Sequence, residues 1–279
     1  MSRDYYTKLD YEYVEKALTV GREYKKVWKE VARTRVQLFA AMVYRVINEG
    51  NEFDLILAPG NSGLYMSYIT SLCYKYLRLN CPPILELPYQ RLNDDKSIFD
   101  NSSLLIYIKQ HTSKLKNIRN TLLVDDEIMM GTYAAITAKL FKKAKVIDNF
   151  NMVIIAENEF FEWHHDIPYL NMRYYAYGRI ISGLNHNIAH LISDVTYNKV
   201  ISALRRDLDY NQVMTIIVSG KLKSIGKNGI LHFDNSADRI LSKKLEHYLD
   251  IKESIKKELD DLVDTGITKY RNKVIKHVF

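Results

Sequence analysis

The sequence predicts an α/β fold: a parallel sheet covered by helices on both faces, with helices leading into it and a mainly helical extension after it. Three observations predict this. Short apolar runs recur between segments of helical spacing, the pattern of strands buried on both sides. Two of those runs pass directly into turns that open a helix, residues 59–63 (PGNSG) and 125–132 (DDEIMMGT). The 279 residues include only 11 Gly and 5 Pro, with no repeat at solenoid spacing, so long linkers are absent and a compact chain is expected.

Residues 1–52 read as a helical lead. Val36, Phe39, Ala40, Val43 and Ile47 recur at the spacing of one apolar helical stripe, and Asn48-Glu49-Gly50 supplies the stop. The period then changes. Residues 53–58 (FDLILA) form a short apolar run ending in Pro59-Gly60, a buried strand entering a turn. Residues 64–79 return to helical spacing until Pro82-Pro83 breaks it. Residues 84–87 (ILEL), 104–108 (LLIYI), 121–124 (TLLV) and 151–156 (NMVIIA) read as further strands, with 173–177 continuing the sheet. Residues 133–143 are an Ala-rich helix. These elements make 53–177 the core. In the extension, 178–279, residues 213–218 are strand-like and the rest reads as helix. There Leu241, Leu245, Tyr248, Ile255, Leu259 and Leu262 line one stripe, which fits packing on the core or an oligomer contact.

Composition narrows the class. A 47% hydrophobic and 26% charged chain is ordinary for a globular protein. No run approaches the roughly 20 apolar residues of a membrane span, and the N-terminal residues lack the apolar region of a secretory signal. Cys73 and Cys81 make neither a disulfide framework nor a zinc quartet, so an intracellular, reduced, cytoplasmic protein is expected. A net charge of +7 suits a phosphorylated sugar and equally permits nucleic acid.

The most informative stretch is TLLVDDEIMMGTYAAITAKL, residues 121–140. An apolar strand delivers Asp125 and Asp126 at its end, Gly131 permits close backbone approach, and a helix starts at once. A helix N-terminus offers unpaired amides and a positive dipole end, ready for a phosphate, and Thr132 adds a hydroxyl. Carboxylates repel phosphate but suit sugar hydroxyls or a magnesium ion. Acids beside a phosphate cradle therefore suggest a phosphorylated ribose.

This arrangement resembles the signature of the type I phosphoribosyltransferase family, closest to the orotate-type loop with Gly131-Thr132, and the likeness covers about residues 53–177. It implies a parallel-sheet phosphoribosyltransferase core that transfers 5-phosphoribosyl from phosphoribosyl pyrophosphate to a nitrogenous base, with Mg2+. By the resemblance Asp125 and Asp126 contact the ribose hydroxyls, and the backbone of Met129, Met130, Gly131, Thr132 and Tyr133 holds the 5-phosphate. Gly60, Asn61, Ser62 and Gly63 stand where the family binds pyrophosphate. Residues 89–120, with Asp94, Asp95, Lys96, Lys109, His111 and Lys114, resemble the flap that closes over substrate. Proton movement falls to Glu127 or to a flap residue. Residues 162–168 (EWHHDIP) place His165 where a base stacks, and homodimers are common in the family. Glu127, Met129 and Tyr133 depart from the usual residues, which leaves a non-catalytic ligand sensor or regulator of the same fold as the alternative.

Other candidates carry less. His186 and His190 share a helix face, but Asn187 stands where a zinc peptidase needs Glu. No nucleophile elbow or GK[ST] phosphate loop occurs.

Overall fold

The structure, a computed structural model, describes residues 24–87, 101–115, 117–128, 131–146, 149–157, 163, 165–177, 191, 193, 195–196, 222–225, 231–233 and 248–272. Five strands form one all-parallel sheet: β1 (Leu55–Pro59), β2 (Ile84–Leu87), β3 (Asn120–Glu127), β4 (Phe150–Glu157) and β5 (Leu170–Ala176), in the order β2-β1-β3-β4-β5. This is a Rossmann-like α/β arrangement. The helices are α1 (Tyr24–Asn48), α2 (Gly60–Leu77), α3 (Asn101–Thr112), α4 (Thr132–Lys143) and α5 (Tyr248–Tyr270). A separate antiparallel pair joins β6 (Leu222–Ile225) to β7 (Leu231–Phe233).

Strand side chains alternate between two cores, as the two-residue period requires. Ile56, Leu122, Val124, Val153 and Ile155 bury on one face beneath α1, α2 and α5. Leu55, Leu57, Leu123, Met152 and Ile154 bury on the other, against α3 and α4. Both faces being covered, the strands are near-continuous apolar runs, which is why they were legible.

Helix α1 buries the expected Val36, Phe39, Ala40, Val43 and Ile47, and also Leu38, Ala41, Met42 and Val46, because it lies between the sheet and α5. It stops where Gly50 adopts a φ of +86°. Ile255, Leu259 and Leu262 of α5 join the same core, so this part of the stripe packs on the parent sheet layer, while Leu241 and Leu245 lie outside the described residues. The crossing is close: a Cβ on Gly266 would lie 2.6 Å from the carbonyl oxygen of Gln37. Lys75 and Asp260 pair at 2.5 Å across the exposed side of α2 and α5.

One expected strand is a helix. Leu104, Ile108 and Thr112 are buried at intervals of four, while Ile106 is 57% exposed. A strand would have put Leu104, Ile106 and Ile108 on one face. The segment expected to be a flap is therefore helical over residues 101–112, with Lys109 and His111 on exposed positions of α3. Asp94, Asp95 and Lys96 lie outside the described residues, as do the 213–218 run, His186 and His190. Strand β3 runs past the expected 121–124 and carries Asp125, Asp126 and Glu127 inside it, with a register irregularity between Val124 and Glu127.

Candidate functional site at the carboxyl edge

In the order β2-β1-β3, the chain leaves β1 toward one side and returns to β3 on the other, so the crevice beyond these strand ends is a topological switch point. Both glycine-bearing turns sit there. Leu57 pairs with Leu123, and two residues further along each strand come Pro59 and Asp125. Both turns thus leave the same, carboxyl edge of the sheet, with Asp125 just inside the last residues of β3.

At the first turn, α2 begins at Gly60 with no intervening loop, and Gly60 takes a φ of +61°. Its opening amides have no side-chain cap. Gly63 is required by space: a Cβ there would lie 2.6 Å from both the carbonyl carbon of Ala58 and Cδ of Pro59. Ser62 is half-buried beside it, and Asn61 belongs to the same first turn.

At the second turn, Gly131 is the N-cap of α4 at φ +67°, again without a side-chain cap, and no acidic residue follows in the first turn. Thr132 and Tyr133 open the helix, both half-buried. Met129 and Met130 lie outside the described residues. Asp125 is 7% exposed and accepts a hydrogen bond from the amide of Asp126 at 2.9 Å. Burial, and then the neighbouring Asp126 carboxylate, push its carboxyl well above the usual range. Asp126 is half-buried, and its carbonyl accepts from the Tyr177 hydroxyl at 3.0 Å. Glu127 is exposed and pairs in register with Glu157 on β4.

Behind the acidic pair lies a buried polar cluster that sequence reasoning missed. Glu157, 0% exposed, meets Arg35 of α1, 1% exposed. Nη2 of Arg35 donates to Oε2 of Glu157 at 3.0 Å, and Nε approaches Oε1 at 2.9 Å as a charge contact off the hydrogen-bond axis. Tyr65 of α2 is 4% exposed, and its hydroxyl has no hydrogen-bond partner among the described residues. Burial, then the charges of Asp126, Glu157 and Asp125, push that phenol well up. Tyr65 belongs to the helix that opens at the first turn, so it links the two halves of the site. One signal was present: Arg35 falls between Val31 and Phe39 at helical spacing, a cation on an apolar stripe.

The segment from β4 to β5 returns from the carboxyl edge to the amino edge, and the His165 ring rests edge-on against Trp163, centroids 5.1 Å apart. Among the described residues no three His, Cys, Asp or Glu converge into a metal cluster. A cation at Asp125 and Asp126 would therefore take most of its oxygen ligands from its cargo and from water, as Mg2+ ordinarily does. No described helix is long and apolar enough to cross a membrane. A cavity of about 280 Å³ opens at the opposite, amino edge of the sheet.

Fold and site together define a doubly wound α/β protein whose switch point is flanked by two uncapped helix N-termini and an acidic pair. No family model and no curated protein matches the chain. Among solved structures it is similar to a hypothetical protein from Neisseria gonorrhoeae with bound ppGpp, at a TM-score of 0.35 and 13% identity, covering 54% of this chain and 80% of that one.

Proposed function

We propose that the carboxyl edge binds 5-phosphoribosyl pyrophosphate with Mg2+, and that the protein transfers the phosphoribosyl group to a nitrogenous base. The observation that supports this reading is that β1 and β3 are parallel neighbours, so both helix N-termini and the acidic pair follow at the same edge of the sheet. The ligand needs two anion sites separated by a sugar. The α4 N-terminus suits the 5-phosphate, the α2 N-terminus suits the pyrophosphate, and Asp126, the more open acid, suits the ribose hydroxyls. Bound Mg2+ would neutralise pyrophosphate charge. Asp125, buried and tied to the Asp126 amide, orients its neighbour.

The same geometry serves a non-catalytic ligand sensor, a reading that Tyr133 favours by standing half-buried at the start of α4. Titration calorimetry with phosphoribosyl pyrophosphate and Mg2+ tests the site. Wild type is expected to bind, and the Asp125→Asn, Asp126→Asn double variant to lose binding. Absence of wild-type binding at millimolar ligand sinks both readings. Base-dependent pyrophosphate release separates the transferase from the sensor.

A further inference from the structure

We propose that the cavity at the amino edge of the sheet is a binding site for a small carboxylate. The cavity lies between residues 50–53, which follow α1, and the sheet face, where Asn120, Asn151, Val153 and Arg173 line it. These positions belong to the face that is apolar further along each strand, as Leu122, Ile155 and Tyr175 are. Polar residues there serve some purpose other than packing.

Register explains part of it. Asn120 pairs with Asn151 and Asn151 with Asn171 across three strands. Their side chains form a ladder: Nδ2 of Asn151 donates to Oδ1 of Asn120 at 2.8 Å, and Nδ2 of Asn171 donates to Oδ1 of Asn151 at 2.9 Å. Among the described residues, the ladder leaves the amide N–H groups of Asn120, and the second one of Asn151, available as donors. Asn51 is anchored by its own donation to the carbonyl of Val46, at 2.5 Å. It in turn accepts from Nη2 of Arg173 at 2.9 Å. Arg173 has no carboxylate partner among the described residues, although it is half-buried. A guanidinium held in a cavity by a neutral amide keeps most of its N–H groups and all of its charge for a ligand.

Three features select the ligand class. The planar guanidinium fork matches a carboxylate in a bidentate pair, with the asparagine amides as further donors. Glu52, exposed on the cavity lining, repels a dianion such as phosphate more than a monoanion. A volume of about 280 Å³ is small for a nucleotide, and Val153 and Phe53 give it an apolar wall.

Calorimetry on the full chain in low-chloride buffer, with sodium acetate, sodium benzoate and inorganic phosphate as probes, tests the proposal. Expected is saturable one-to-one binding of a carboxylate, tighter than phosphate, weakened at least about tenfold by Arg173→Gln. The Asp125→Asn, Asp126→Asn variant should leave that affinity unchanged, which separates this site from the carboxyl edge. Glu52→Gln alters an exposed residue with no hydrogen bond or ion pair among the described residues, and should narrow the preference for carboxylate over phosphate. If Arg173→Gln does not fold, that variant decides. No saturable carboxylate binding, a wild-type preference for phosphate, or a preference untouched by Glu52→Gln overturns the proposal. So does Arg173→Gln that loses stability yet binds as wild type, since Arg173 would then only brace Asn51 at the end of α1.

Discussion

The two edges of the sheet solve opposite problems with opposite charges. At the carboxyl edge, where α2 and α4 begin, stand Asp125, Asp126 and Glu157. At the amino edge, where α1 ends, stand a ladder of neutral amides and the guanidinium of Arg173. The helix dipole explains the sorting, since helix N-termini favour anions and C-termini favour cations. The difference is in burial. The amide ladder and Arg173 present spare donors to an open cavity, whereas the acidic edge holds a carboxyl kept from ionising freely by burial and a buried phenol without a hydrogen-bond partner among the described residues. Unsatisfied chemistry of that kind is characteristic of a site that waits for a ligand.

Breaking the carboxyl edge should have the largest effect. Arg35→Met leaves Glu157 buried without its counter-charge and is expected to cost about 3–5 kcal/mol in denaturant unfolding. Adding Glu157→Leu should recover most of that loss. A double variant no more stable than the single one would mean that the pair contributes through something besides charge compensation.

The glycines sharpen the same contrast. Gly63→Ala forces a Cβ to 2.6 Å from backbone and proline atoms, so a loss of about 1–3 kcal/mol is expected. Gly50 has the left-handed φ of +86° but open space around it, so Gly50→Ala should cost only about 1 kcal/mol, from the backbone alone. Equal losses in paired thermal melts would remove steric crowding as the reason for Gly63.

The smallest expected effect has the opposite sign. The folded-state pKa of Asp125 is raised above its unfolded value, first by burial and then by Asp126. Protonation therefore favours the folded state, and stability falls as the pH rises from the unfolded value through the folded one. At neutral pH that loss is complete if the folded value lies below 7 and partial if it lies higher. Asp125→Asn keeps the oxygen that accepts from the Asp126 amide and should raise stability by about 1 kcal/mol, flattening its pH dependence on the acid side. Unchanged stability from pH 4 to 7 in both proteins would contradict the burial account.

Much of this was legible because the signals are local. Runs such as LILA and MVIIA announce strands covered on both faces, and Gly131 and Gly60 mark the turns that open helices. The acidic pair was legible because two carboxylates ending an apolar strand are conspicuous. LLIYI was misread because five consecutive apolar residues contain no period. Only the packing of Leu104 and Ile108 against the sheet, with Ile106 left outside, decides for helix. His165 was assigned from a short likeness, and its observed neighbour is Trp163.

The sequence by itself determined the elements of the sheet layer other than α3, their turns and the type of charge at the end of β3, since these depend on residues adjacent in the chain. Tertiary structure alone decided which strands are neighbours. That order sets Leu57 level with Leu123, aligns Asn120, Asn151 and Asn171, and brings Arg35 to Glu157 across 122 positions. No local pattern encodes such meetings, because each partner is chosen by the sheet order that buries the apolar runs together.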